Sequence, residues 1–238
     1  MNKILSIIIP TYNAAQFLDK GLSTFIMEDK EMMDKLEVLI VNDGTKDNSV
    51  EVAQKFVDRY PNTFKIINKE NGGHGSAINT GVENVTGKYF KCVDADDWVY
   101  TDALERTMKI LEKEDFDALI QSFITYDISK DLWEPRDIHC DNTDRIYNLK
   151  EIVDMWEQID YGMSFHGVTY NAQFYKSLGY KLIEGVFYED QEYATIPLSY
   201  AKRIRLLDDE LYVYRLGDVN QSVSTQSQLS RLPHFEAV

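Results

Sequence analysis

Tyr89-Phe-Lys-Cys-Val-Asp-Ala-Asp-Asp-Trp98 decides how this chain is read. It is a strand that runs directly into three carboxylates, Asp94, Asp96 and Asp97, where a solvated turn needs only one. Like charges this close raise one another's pKa unless a cation or strong donors neutralise them. A hard divalent metal is the simplest compensation, and oxygen ligands favour Mg²⁺ or Mn²⁺ over zinc. A metal held with open coordination positions is commonly shared with a phosphate-bearing substrate. The competing reading makes Asp96 or Asp97 the N-cap of the next helix, with Thr101-Asp102 as a second start signal. The stretch alone does not separate the two readings, so its neighbours must.

Upstream, Leu5 to Pro10 is a continuous apolar run, the pattern of a buried parallel strand. From Ala14, the residues Phe17, Leu18, Leu22, Phe25 and Ile26 recur at helical spacing. The unit then repeats: strand Glu37–Asn42, turn Asp43-Gly44-Thr45 and helix Asn48–Tyr60, followed by strand Phe64–Asn68, a glycine-rich loop over 70–75 and helix Ser76–Val85. Tyr89–Val93 is the fourth strand. Four strands alternating with three helices predict an α/β fold with a parallel sheet covered on both faces. In such sheets ligands bind beyond the carboxyl ends of the strands. Every unusual polar stretch lies there: Thr11-Tyr12-Asn13, Asn42-Asp43-Gly44, Asn68 to Gly75 and Asp94 to Asp97. Each is an ordinary turn former by itself, but their coincidence favours a site.

The 238 residues allow one large α/β domain, or one domain with a small appendage. Lys plus Arg at 25 against Asp plus Glu at 40 gives a net charge of −15, which opposes a broad phosphate-backbone footprint and makes nucleic acid an unexpected partner. The apolar run from Ile4 to Ile9 is too short for a signal peptide or a spanning helix. Cys92 and Cys140 show no metal-ligand spacing, and a reducing, cytoplasmic compartment is the expectation.

Beyond the acids, the sequence predicts a helix over Thr101–Glu114, a fifth strand over Asp117–Tyr126, a charged excursion over Asp127–Asn148, and helices over Lys150–Ile159 and Asn171–Leu178. Tyr188-Glu-Asp-Gln-Glu192 is a second acidic cluster that opens a helix broken or kinked at Pro197. Acids at a helix start suit its dipole, so capping alone explains them as well. Two short strands, Ile204–Leu207 and Leu211–Tyr214, precede a polar tail.

The ordered series Ser6-Ile-Ile-Ile-Pro-Thr-Tyr-Asn13, Val41-Asn-Asp-Gly-Thr-Lys-Asp-Asn-Ser49, Asn71-Gly-Gly73 with Ala77, Asn79 and Gly81, then Val93-Asp-Ala-Asp-Asp-Trp98 resembles a family 2 glycosyltransferase of the GT-A fold. The likeness thins over 99–187 and resumes at Tyr188-Glu-Asp190 and at Tyr214-Arg215 with Gln221-Ser222. It implies a Rossmann-like, mostly parallel sheet with a donor-binding half over 1–126 and an acceptor-side region of the same domain over 127–238. It implies an inverting enzyme that moves a sugar from a nucleotide sugar, with UDP favoured over dTDP, to a hydroxyl of a carbohydrate or lipid-linked glycan in cell-envelope or capsular glycan synthesis.

The same resemblance supplies roles. Pro10, Thr11, Tyr12, Asn13, Asn71, Gly73, Asn79, Ala95 and Ser222 would belong to the donor site. Asp43 would accept from the N–H of the base, an acceptor-only role suited to an ionised carboxylate, and Asp94 would lie near the sugar or ribose. Asp96 would hold Mn²⁺ or Mg²⁺, with His166 as a further candidate ligand. Asp190, beside Glu189, would be the general base, and Arg215 would stabilise the leaving diphosphate. The implied location is cytoplasmic, with peripheral membrane association if the acceptor is lipid-linked. The chain departs from the pattern at Asn42, where the family has an acid, and at His74-Gly75-Ser76 with Ile78, where it often has arginine. A nucleotidyltransferase would place a basic glycine-rich loop after the first strand, and a dehalogenase-type phosphatase would place its aspartate pair there. A non-catalytic nucleotide-sugar-binding module would not need Asp190.

Overall fold

The computed structural model describes residues 2–140, 142–159 and 162–218. Ser222, Gln221 and the polar tail lie outside the described residues.

The first third of the chain folds as its apolar pattern predicts. Strands β1 (Leu5–Thr11), β2 (Leu36–Asp43), β3 (Phe64–Lys69) and β4 (Tyr89–Cys92) alternate with helices α1 (Ala15–Ser23), α2 (Lys30–Lys35), α3 (Ser49–Arg59) and α4 (His74–Asn84). The short α2 is absent from the sequence reading. Pairing is parallel in the order β3-β2-β1-β4. Because side chains alternate across a strand, the unbroken run in β1 feeds two cores. Ile7 and Ile9 pack with Leu18, Leu22 and Phe25 on one face, while Ile8 packs with Ala77, Ile78 and Val82 on the other.

The second half departs from an all-parallel sheet. After β5 (Trp98–Val99) and α5 (Thr101–Lys113), strand β6 (Ala118–Asp127) is separated from β4 by β9 (Val168–Asn171), which runs antiparallel to both. The full path is β3-β2-β1-β4-β9-β6-β10-β5, a curled, mostly parallel sheet. The expected excursion over 127–148 contains β7 (Leu132–Arg136), an exposed edge strand paired with β6, and β8 (Ile146–Tyr147). Pro135 is tolerated there because an edge strand has ladder positions that need no N–H donor.

The expected helix over 150–159 is interrupted at Met155 into α6 (Leu149–Asp154) and α7 (Trp156–Ile159). Helix α8 (Ala172–Ser177) follows β9, and α9 (Glu189–Tyr200) continues through Pro197 rather than ending there. The two short strands expected near the end are one strand, β10 (Ile204–Leu216), with a register shift between Leu207 and Tyr212. Among the described residues no helix is long and apolar enough to cross a membrane.

The chain runs outward from β1 to β2 and β3, then returns to β4 on the other side of β1. Strand order therefore reverses at β1, and the crevice beyond the carboxyl ends of β1 and β4 is where this topology places a ligand.

Candidate active site

A cavity of about 570 Å³ opens at that crevice. Its walls come from the ends of four parallel strands and from the acceptor-side half. Pro10, Thr11, Tyr12 and Asn13 close β1, Asp43 closes β2, Asn71 and Gly73 come from the loop after β3, and Asp94, Ala95 and Asp96 follow β4. His166, Glu189 and Asp190 complete the lining from across the cavity. Thirteen of the residues singled out by sequence thus meet in one place.

The β1 and β2 ends are fixed by local hydrogen bonds. Asn13 is left-handed, with φ 50°, a conformation asparagine tolerates better than most residues. Its side chain accepts from Lys46 N at 2.9 Å and its N–H donates to Thr45 Oγ1 at 2.8 Å. Asp43, 3% exposed, accepts from Lys69 Nζ at 2.6 Å and from Gly72 N and Gly73 N, each at 2.9 Å. A carboxylate offers about four acceptor positions. The three donors orient Asp43 and leave Oδ2 able to accept once more.

The three acids after β4 each have separate partners. Asp94 Oδ1 meets His74 Nε2 at 2.8 Å. Asp96 Oδ2 lies 3.5 Å from Arg215 Nη1. Asp97, 2% exposed, accepts from Tyr212 OH at 2.5 Å and from Arg215 N at 2.7 Å. Burial, then the charges of Asp96 and Asp94, hold Asp97 well above the usual carboxylate range. Burial also opposes ionisation of Asp94, but the ring of His74, with His166 beyond it, outweighs burial and lowers its pKa. Neither Asp96 nor Asp97 caps α5, whose N-cap is Tyr100.

His74 is the residue that sequence reasoning did not place. Its other nitrogen, Nδ1, lies 2.6 Å from Glu189 Oε1. Burial in the cavity wall opposes a charged ring, yet the two carboxylates prevail and hold His74 well above an ordinary imidazole. The available signal was a histidine at a strand end among glycines, in Gly73-His74-Gly75. Phe17, Phe165, Phe187, Tyr188 and Tyr214 also line the cavity without having been singled out for it.

His166 reaches the cavity as a neutral base. Burial pushes its pKa down to about 4, and its ring stacks on Tyr214 with centroids 3.9 Å apart. The buried ammonium of Lys91 donates to the carbonyl of His166 at 2.6 Å and to that of Val168 at 3.2 Å, tying this segment to β4. Ligand atoms of Asp94, Asp97 and His166 lie within 4.8 Å of one another, a spacing that suits a metal ion. Asp97 is the least suited of the three, since Tyr212 and Arg215 N already occupy both its oxygens.

Asp190 stands in the first turn of α9, behind Tyr188, which holds a left-handed φ of 74° at the N-cap. Such a conformation in a bulky residue costs on the order of 1–3 kcal/mol and concentrates at functional sites. Burial, then the charges of Glu189 and Asp94, raise the pKa of Asp190. This is the direction that turns a carboxylate into a useful base.

Two expected donor contacts lie elsewhere. Asn79 is buried and turned toward the acceptor-side segment, donating to Leu182 O at 2.9 Å and Glu184 Oε1 at 3.1 Å and accepting from Leu182 N at 2.9 Å. Arg215 does not line the cavity; it backs Asp96, pairs with Asp218 at 2.9 Å and lies 4.5 Å over the ring of Phe17.

The mostly parallel sheet, with its carboxylate-edged cavity at the strand-order reversal, has the GT-A fold. Solved structures agree: S. aureus TarS residues 1–349 in complex with UDP-GlcNAc superposes with a TM-score of 0.71 at 20% identity, over 89% of this chain and 58% of that one. The mannosyltransferase PcManGT from Pyrobaculum calidifontis, in complex with GDP-Man and Mn²⁺, gives 0.66 at 19% identity over 99% and 62%. The chain belongs to glycosyl transferase family 2, whose model matches residues 6–179. It is 30% identical over 228 residues to YibD, an uncharacterized glycosyltransferase of Escherichia coli K12, and 26% identical over 223 residues to EpsJ, an uncharacterized glycosyltransferase of Bacillus subtilis 168. Those alignments cover 92% and 90% of this chain but 63% and 62% of the relatives' lengths.

Proposed function

We propose that the chain moves a sugar from a nucleotide diphosphate sugar to a hydroxyl of a carbohydrate or lipid-linked glycan acceptor, with inversion at the anomeric carbon. A UDP-sugar is the first donor to test, and cell-envelope or capsular glycan synthesis is the setting the family suggests. The observation that carries this reading is the convergence of Asp43, Asp94, Asp96 and Asp190 on one cavity at the strand-order reversal.

In this reading residues 1–126 bind the donor and those from 127 onward face the acceptor. Asp43 Oδ2 accepts the N–H of a pyrimidine base. Asp190 takes the proton of the acceptor hydroxyl as that oxygen bonds to the anomeric carbon, while the bond to the diphosphate breaks on the opposite face and its electron pair leaves with the nucleotide. Arg215 holds Asp96 toward the cavity.

Asp94, Asp96 and neutral His166 are the groups that would hold Mn²⁺ or Mg²⁺. The donor set fits a hard or borderline cation. Such an ion would offset the charge of the leaving diphosphate.

Calorimetric titration of UDP and a panel of nucleotide sugars, with and without Mn²⁺, into wild type and Asp96→Ala tests the reading. Metal-dependent uridine-nucleotide binding that is lost in the variant supports it. Failure of the folded wild type to bind any nucleotide contradicts it.

A further inference from the structure

The first turn of α4 carries His74-Gly75-Ser76, and all three residues face the acceptor-side segment. The His74 ring lies between two acids from distant parts of the fold, with Nε2 on Asp94 after β4 and Nδ1 on Glu189 at the start of α9. A neutral imidazole has one N–H, so two carboxylate partners require a doubly protonated ring or a proton on one acid. Either way two strong, charge-assisted hydrogen bonds result.

Beside the ring, Ser76 Oγ donates to Glu184 at 2.9 Å. A Cβ on Gly75 would lie 2.6 Å from the carbonyl oxygen of Ile183 and 3.0 Å from Cγ of Glu189. Helix and segment therefore meet with no room for a side chain. Glu189 is 3% exposed and immediately precedes Asp190.

We propose that His74 is a positioning residue for the transfer step: by bridging Asp94 and Glu189, it fixes the Asp190 carboxylate relative to the donor end of the cavity. The inference rests on the reading of Asp190 as the base. His74 itself makes and breaks no bond in the reaction. Its effect is geometric, and a displacement of about 1 Å at a reacting group can cost about 100-fold in rate.

The test compares the full chain with His74→Gln, Glu189→Gln and the double variant. A glutamine at position 74 can reach one acid but not both. UDP with Mn²⁺ is the binding probe, and release of UDP from UDP-GlcNAc and UDP-glucose in the presence of saccharide acceptors is the turnover probe. The bridge predicts turnover about 100-fold lower in each single variant, a loss well beyond any change in UDP affinity. The double variant should be no slower than the slower single one, since either change alone already breaks the bridge. Proton NMR of wild type should show downfield resonances from the two bridging protons, both of which vanish in His74→Gln.

Undiminished turnover in His74→Gln, losses that multiply in the double variant, or UDP affinity that falls as far as turnover would each overturn the proposal. Missing resonances would overturn the bridge itself. A wild type that shows both resonances yet binds no nucleotide of the titration panel would overturn the nucleotide-sugar reading, and the positioning role with it, while the bridge stands.

Discussion

The phenol of Tyr212 donates to the Asp97 carboxylate across 2.5 Å, joining residues 115 positions apart, and the same oxygen accepts from Asp94 N at 3.1 Å. One hydroxyl on β10 thus fixes the backbone and a side chain of the acidic turn after β4. Tyr212→Phe leaves buried Asp97 without its O–H donor, and a loss of about 1–3 kcal/mol is expected. Urea unfolding of the two proteins checks it, and equal stability would remove Asp97 from the structural role given to it.

Asp47 ties the starts of two helices. It accepts from Ala15 N and Ser49 N, each at 3.0 Å, and from the hydroxyls of Thr45 and Ser49. Burial works against its charge, but these donors together outweigh it and bring its pKa down to about 2. Asp47→Ala should cost about 1 kcal/mol at neutral pH, as lost caps do. A lowered carboxylate pKa contributes stability that is present above the unfolded value of about 3.9 and is lost as pH falls through the folded one. The gap between wild type and Asp47→Ala should therefore narrow between pH 4 and 2, as read by unfolding at a series of pH values.

Asp190 has the opposite shift, and its active form is the carboxylate. Turnover per donor should rise with pH through a midpoint above the ordinary aspartate value of 3.8, because burial and the charges of Glu189 and Asp94 disfavour ionisation. Glu189→Gln removes one of those charges, so the residual activity of that variant should show its acid limb at lower pH. A limb that stays in place would assign the titration to another group.

Much of the donor half was legible because buried parallel strands carry long apolar runs. Ile7, Ile8 and Ile9 announce a strand covered on both faces, and the polar residues that follow mark its carboxyl end. The short antiparallel β9 was not legible: Val168-Thr-Tyr-Asn171 is four residues long and pairs through backbone between β4 and β6, which lie far off in sequence. Strand β7 was missed because its exposed edge position demands no apolar alternation. The β10 bulge hid one strand as two, since Asp208, Asp209 and Glu210 interrupt the apolar pattern.

At the site, strand-end position identified the cavity lining, but not which side chains compensate one another. His74 meets acids 20 and 115 residues away. Asn79, an expected donor contact, is committed to Leu182 and Glu184. Both pairings depend on how the acceptor-side segment folds back, and no local pattern encodes that.

The central claim is that Asp190, in the first turn of α9, acts as the base toward a donor held at the ends of β1, β2 and β4. Asp190→Asn keeps the shape of the side chain and removes its basicity, so steady-state turnover and calorimetric UDP binding with Mn²⁺ on the same preparation test the claim most directly. The account predicts unchanged UDP affinity with kcat lower by about 10²–10⁴-fold. Normal nucleotide binding with undiminished turnover in Asp190→Asn would contradict it.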